Sequence, residues 1–185
     1  MNDCPFCRTP LVDENDPALD MLQQRVNAKD PEALKFLGDE YFRGQDGLER
    51  NINRAIELWT EAAELGSIDA QYNLGNRYYR GEGVAQDISK TIHHWEIAAM
   101  KGSALARHNL GALEDQNGNY ERAARHYLIT AKMGIKVSLE NVKAMSVEGV
   151  ATKEQYTEAL KGYQESVDEM KSPERDEVMA KAFIY

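Results

Sequence analysis

The chain repeats one pattern three times in register, and few folds accept that. The stretch from Asp30-Pro31-Glu32-Ala33 to Ala62-Ala63-Glu64-Leu65-Gly66 aligns with that from Asp69-Ala70-Gln71-Tyr72 to Ala98-Ala99-Met100-Lys101-Gly102. Leu37-Gly38 falls on Leu74-Gly75, Tyr41-Phe42-Arg43-Gly44 on Tyr78-Tyr79-Arg80-Gly81, and Trp59 on Trp95. A third copy carries Leu110-Gly111, Tyr127, Ala131 and Gly134. The steps Gly38 to Gly75, Gly75 to Gly111 and Gly66 to Gly102 are 37, 36 and 36 residues, a period typical of solenoids and arrays. A unit that needs a neighbour to cover its apolar face is a stacking module, which favours binding over chemistry.

Each unit reads as helix, loop, helix. Ala70, Leu74 and Tyr78 recur at i, i+4 and i+8 to give helix A one face, and Gly81-Glu82-Gly83 ends it. Asp87 or Ser89 starts helix B, where Ile92, Trp95 and Ala99 share a face with Ala98 on its flank. Gly75 and Ala98-Ala99 predict close helix approach, with Leu, Tyr and Trp filling the remaining volume. Asp30 is the expected N-cap of the first unit and Pro31 suits the first helical position. Pro17 to Val26 predicts a short preceding helix. Thr152-x-x-Gln155 has capping-box spacing and opens the second helix of a degenerate fourth unit. The expected organisation is an all-α superhelix over residues 17–170, with units at about 28–66, 67–102, 103–134 and 135–170. Residues 171–185, opened by Ser172-Pro173-Glu174, are expected to form a C-terminal capping helix.

The acidic balance, 31 Asp and Glu against 22 Lys and Arg, argues against nucleic acid or an anionic membrane as main partner. No apolar run is long enough to span a bilayer. The N-terminus lacks the basic-then-apolar pattern of a secretory signal, so a reducing, cytoplasmic setting is expected. The repeats contain no cysteine and must hold by packing alone.

Ala70, Leu74, Gly75, Tyr78, Gly81, Gly83, Val84, Asp87, Trp95, Ala98, Ala99 and Gly102 together resemble the Sel-1-like repeat, a relative of the tetratricopeptide repeat. The second copy matches most fully. The first has Gly47-Leu48 in place of Gly-Val, and the third has Glu114 where the others have Tyr. The resemblance covers about residues 28–134. It implies a right-handed α-solenoid that acts as a non-enzymatic scaffold or adaptor for a protein partner, held as an extended peptide or other segment. Nothing in it implies a cofactor, nucleic-acid binding or membrane insertion.

Cys4-Pro5-Phe6-Cys7-Arg8 is similar to the closing ligand pair of a RING-type zinc finger. Two thiolates supply half of a tetrahedral zinc site, so the remaining ligands would lie upstream of Met1. Residues 1–16 are then a RING remnant and linker, and zinc is a cofactor only if that upstream half exists. A chance pair of reduced thiols and a redox Cys-x-x-Cys are the alternatives, the latter lacking its βαβ context. Asp30-Pro31-Glu32-Ala33, Ala106-Arg107-His108-Asn109-Leu110-Gly111 and Lys171-Ser172-Pro173-Glu174-Arg175 resemble a group of algal and diatom RING–repeat proteins. That group implies a ubiquitin-ligase parent whose repeats recruit substrate.

In tetratricopeptide-like stacks helix A lines the inner groove. With Leu37, Leu74 and Leu110 as equivalent core positions, the groove would receive Lys35, Asp39, Phe42 and Arg43, then Tyr72, Asn76, Tyr79 and Arg80. The third unit would add His108, with Ala112, Asp115 and Gln116 at the other offsets. Aromatics beside arginine suit peptide recognition, although Phe42 and Tyr79 can equally pack against the adjacent unit. His93, His94, His108 and His126 read as packed or solvated histidines, and the carboxylate pairs Glu61/Glu64 and Asp168/Glu169 as solvated helix faces. No phosphate loop or nucleophile–base arrangement stands out.

Overall fold

Helix-start signals recur at the head of each repeat, and the structure uses them. In the computed structural model, which describes residues 17–45 and 48–171, every regular element is a helix. These are α1 (Pro17–Asn27), α2 (Pro31–Arg43), α3 (Ile52–Glu64), α4 (Ile68–Arg80), α5 (Ile88–Met100), α6 (Ala104–Gln116), α7 (Tyr120–Lys132), α8 (Lys136–Val147) and α9 (Lys153–Met170). The fold is an all-α helical-repeat solenoid of paired helices, the class expected. Asp30 caps α2 by accepting from the Glu32 and Ala33 amides, with Pro31 at the first helical position. Asn51, Ser67 and Asp87 do the same for α3, α4 and α5, so Asp87 rather than Ser89 starts the second helix B. Thr152 and Gln155 form both halves of a capping box on α9. Each cap satisfies amides that the first turn leaves without carbonyls, worth about 1 kcal/mol apiece.

The helices divide into two compact units, residues 1–103 and 104–185. In the first, α2 pairs with α3 and α4 with α5, α3 packs on α4, and α1 lies on α2. In the second, α6 pairs with α7, and α7 also receives α8 and α9, which pack on each other. Cores form where the helix B aromatics turn inward: Trp59 is 2% exposed and Trp95 3%, and Tyr127 in the second unit is 2% exposed.

The small residues of the Leu-Gly pairs do something more specific than bringing two backbones together. The indole of helix B lies directly on the helix A glycine. A Cβ on Gly38 would stand 2.7 Å from Trp59 Nε1, and one on Gly75 would stand 2.4 Å from Trp95 Cδ1. At Gly111 the neighbours are His126 Cβ and Tyr127 Cε1, both at 3.0 Å. The loop glycine Gly83 has a second reason to be glycine: φ is +77°, and its Cβ would sit 2.4 Å from Ile52 Cγ2 on α3. The α4–α5 loop is thereby pressed onto the preceding helix pair, a nearest-neighbour tie of the kind that stabilises repeat arrays.

Cys4 and Cys7, and the capping segment beyond Lys171, lie outside the described residues.

Candidate protein-binding face

The candidate face is carried by the two A helices of the first unit, α2 and α4. Between these two helices runs a ladder of polar contacts: Ser67 Oγ donates to Glu32 Oε1 (3.1 Å), Lys35 Nζ lies 3.9 Å from Asp69, Asn73 Nδ2 donates to Asp39 Oδ1 (3.0 Å), and Arg77 caps the Phe42 ring at 4.3 Å. Asp39 is its centre. Its side chain is 10% exposed, and one oxygen accepts from both Trp59 Nε1 and Asn73 Nδ2 at 3.0 Å. The other oxygen faces Lys35 Nζ at 3.0 Å and Arg43 Nη2 at 3.5 Å. A carboxylate this enclosed persists only with such a set of donors. Arg43 also donates to Glu40 Oε1 at 3.2 Å.

The second repeat keeps the geometry and changes the chemistry. Asn76 stands where the first has Asp39, and its Oδ1 accepts from Trp95 Nε1 at 3.2 Å. Tyr79 leans on Trp95 with ring centres 5.4 Å apart, as Phe42 leans on Trp59 at 5.5 Å. Phe42 and Tyr79 are therefore half-buried against the tryptophan of their own helix pair, and Phe42 additionally receives Arg77 from the next pair. Arg77 is buried and joined to Glu82; burial lowers its pKa from the usual guanidinium value, and Glu82 opposes that loss. Tyr72 and Asn76 are half-buried. Arg43 and Arg80 are exposed, 51% and 60% at the side chain, Arg80 having Glu82 at 4.0 Å.

Phe36 is absent from the residues expected by sequence, yet it is 45% exposed. It lies seven positions before Arg43, two turns along the same line of α2. Asn73 and Arg80 repeat that spacing on α4. The sequence signal was available as an i, i+7 pair; the assumed face was centred one position away, on Lys35 and Phe42. The surface that α2 and α4 offer is thus Phe36, Arg43 and Arg80 outermost, with Asn73 turned to Asp39 in the clasp. Lys35 and Asp39 lie beneath as the clasp between helices.

His108 occupies the corresponding place in the second unit. Its ring leans on Tyr127 (5.3 Å), and its Nδ1 lies 2.8 Å from Ser138 Oγ, which is 2.7 Å from Thr130 Oγ1. Thr130 Oγ1 also donates to the His126 carbonyl at 3.0 Å, so Ser138 Oγ can turn its own proton towards Thr130 or towards the ring. Burial lowers the His108 pKa. Tyr127 is pushed up to about 12, chiefly by burial and then by Asp115, with an Asn141 hydrogen bond opposing. His93 and His94 have ring centres 5.5 Å apart, but His94 is committed elsewhere: it stacks flat on Tyr78 and pairs through Nδ1 with Gln71 Oε1 at 2.7 Å. Among the described residues no group of His, Cys, Asp and Glu is placed to hold a metal ion. Among them, too, no helix is long and apolar enough to cross a membrane.

Paired helices locked by a glycine–tryptophan joint define a helical-repeat protein of the tetratricopeptide-like class. The chain belongs to the Sel1 repeat family, whose pattern matches residues 31–67, 68–103 and 104–135, more than half of its length. The fourth helix pair, α8 and α9, lies beyond those matches. Among solved structures it is similar to a Sel1 repeat protein from Oxalobacter formigenes (TM-score 0.69, 25% identity, covering 84% of this chain and 65% of that one). It is also similar to a protective antigen of uropathogenic Escherichia coli that displays an SLR fold (TM-score 0.68, 28% identity, 82% and 33%). An immunity protein from Pseudomonas aeruginosa shares the fold (TM-score 0.59, 20% identity, 84% and 62%). The chain spans from a third to just under two thirds of the length of these neighbours. No curated protein sequence matches it. Neither the RING finger nor the algal and diatom group gains support from these matches.

Proposed function

We propose that the chain is a non-enzymatic adaptor that binds a segment of a protein partner on the α2–α4 face. Sel1 repeat folds typically serve as scaffolds for protein–protein interaction, and here the helices carrying the face are clasped before any ligand arrives. The observation that carries the reading is Phe36, a large aromatic held outward in line with Arg43 while Phe42 and Tyr79 are spent on packing. An exposed aromatic flanked by arginines gives a partner segment an apolar anchor and two carboxylate contacts. Tyr72 and Asn76 line the same side, Lys35 and Asp39 hold the helices in register, and His108 serves the equivalent position in the second unit. No resident cofactor is needed for this activity, and the depressions along the described helices are open surface features rather than enclosed sites.

The test is a pull-down with the wild-type chain and with a Phe36→Asp, Arg43→Glu, Arg80→Glu variant whose helicity and melting are first matched by circular dichroism. Loss of captured partners is expected; an unchanged partner set removes the assignment. One observation favours a second reading, the Cys4-Pro5-Phe6-Cys7 pair, by which the repeats would recruit substrate for a RING-type ubiquitin ligase. On a chain extended upstream, that reading requires Cys4 and Cys7 to resist thiol alkylation once zinc is added. Full alkylation discards it and leaves the adaptor reading untouched.

A further inference from the structure

The outer faces of the B helices change sign along the chain. At equivalent positions α3 carries Glu57, Glu61 and Glu64, α5 carries His93, Ile97 and Met100, and α7 carries Arg125, Ile129 and Lys132. On α3 the three glutamates stand at i, i+4 and i+7, along one face, and with Lys29, Ile56, Thr60 and Leu65 they line an open depression of about 540 Å³. Arg122, Arg125 and Ile129 on α7 and its C-cap Met133 follow at i, i+3, i+7 and i+11, all exposed. Both helices are 13 residues long.

We propose that the chain associates with a second copy of itself, the acidic outer face of α3 in one copy receiving the basic and apolar outer face of α7 in the other. Charge complementarity names this occupant: Glu57 and Glu64 have Arg125 and Lys132 as their counterparts, while Ile56 and Leu65 offer apolar surface to Ile129 and Met133. Among the described residues neither Glu64 nor Arg125 has an ion-pair partner. The other charges are held by pairs within the chain, Lys29–Glu61 at 3.2 Å, Arg54–Glu57 at 2.7 Å, Arg122–Glu114 at 3.2 Å and Lys132–Glu158 at 2.5 Å. Such pairs contribute little and exchange readily for intermolecular ones. Two helix faces bury less than a standard interface of about 1,600 Å², so the association is weak and concentration-dependent. Each copy uses a different surface on either side of the contact, so the interface is heterologous, closing into a ring or continuing as a chain. It leaves the α2–α4 face unused and stands apart from the function proposed above.

Sedimentation of the full chain over about a hundredfold concentration range tests it, the span over which a weak dimer passes from mostly dissociated to mostly associated. A weight-average mass that climbs with concentration and falls back in ~1 M salt, where charges are screened beyond about 3 Å, is expected. Glu57→Lys, Glu61→Lys, Glu64→Lys on one chain and Arg122→Glu, Arg125→Glu on another should each leave a monomer with unchanged helicity. An equimolar mixture of the two variants should associate again, because the reversed α3 now fits the reversed α7. A wild-type mass that stays monomeric, reversed variants that associate like wild type, or a mixture that stays dissociated would each overturn the proposal.

Discussion

The first two repeats and the third solve one packing problem in two ways. In the first two, an indole lies on a helix A glycine, and the residue after that glycine accepts the indole N–H: Asp39 for Trp59 at 3.0 Å, Asn76 for Trp95 at 3.2 Å. In the third the aromatic is Tyr127, which has no ring N–H, and the residue after Gly111 is Ala112, which has no side-chain acceptor. The phenol turns to Asn141 on α8 instead. Aromatic and acceptor change together because a buried donor without a partner costs about 1–3 kcal/mol. The motif is therefore a coupled unit of three positions, glycine, acceptor and aromatic, and substitutions can test the coupling.

The largest difference should appear at the glycines. Gly75→Ala puts a Cβ 2.4 Å from a rigid indole carbon, and overpacking of this kind costs about 1–3 kcal/mol, net of the propensity that alanine brings to a helix. Gly111→Ala meets its nearest atoms at 3.0 Å, close enough to yield a little, so the ~1 kcal/mol propensity gain offsets most of the strain. Denaturant midpoints of the two variants should differ clearly, with Gly75→Ala the lower. Equal midpoints would mean that the indole is free to slide and that the glycine joint is not what fixes the pair.

Next in size is the acceptor. Asp39→Ala leaves Trp59 Nε1 and Asn73 Nδ2 without their shared oxygen and strips Lys35 of its nearest carboxylate. Hydrogen bonds to a charged group put the loss at about 2–3 kcal/mol, against about 1 kcal/mol for Asn76→Ala, where a neutral acceptor serves one indole. In a double-mutant cycle with Trp59→Phe, the Asp39→Ala penalty should shrink, since phenylalanine has no donor to strand. Additive penalties would show that Asp39 serves the lysine and asparagine alone.

Much of this was legible from the sequence, and the part that was not has a common cause. Asp30 and Thr152 announced helix starts because a cap acts within four residues, and the Leu-Gly to Trp spacing announced the helix pairs because it recurs. Asp87 and Ser89 could not be separated by sequence; the side chain that reaches the Lys90 amide decides for Asp87. Phe42 could not be placed either, since its burial depends on where Trp59, on another helix, comes to rest. Asp39 read as a groove carboxylate because its four donors come from three helices and sit up to 34 positions away. Phe36 is the converse case: among the described residues it stays 45% exposed, and no recurring partner marks it in the sequence.

The smallest effect concerns pH, and it sharpens the comparison because each unit contains a half-buried imidazole whose pKa burial lowers. His94 in the first unit lies flat on Tyr78 and donates to Gln71, whose amide reaches the Ala63 carbonyl on α3 at 3.4 Å. Burial lowers its pKa first, and the neighbouring His93 and Lys90 lower it further. His108 in the second unit is lowered by burial alone. Both groups take up protons more readily in the unfolded chain, from its ordinary value of about 6.5. Their contribution to stability is therefore complete above that value and drains away as pH falls through it towards the depressed folded pKa. The expected loss is a fraction of the ~1.4 kcal/mol that corresponds to a tenfold change in proton affinity, given that both rings are only half-buried. Melting temperature recorded between about pH 7.5 and pH 5 should fall for wild type and fall less for His94→Gln, which keeps a donor towards Gln71 and cannot ionise. Because Lys90 and His93 repel the added charge at His94 while burial alone lowers His108, the same comparison with His108→Gln should recover less. A larger flattening of the pH dependence by His108→Gln than by His94→Gln would assign the acid-sensitive joint to the third repeat.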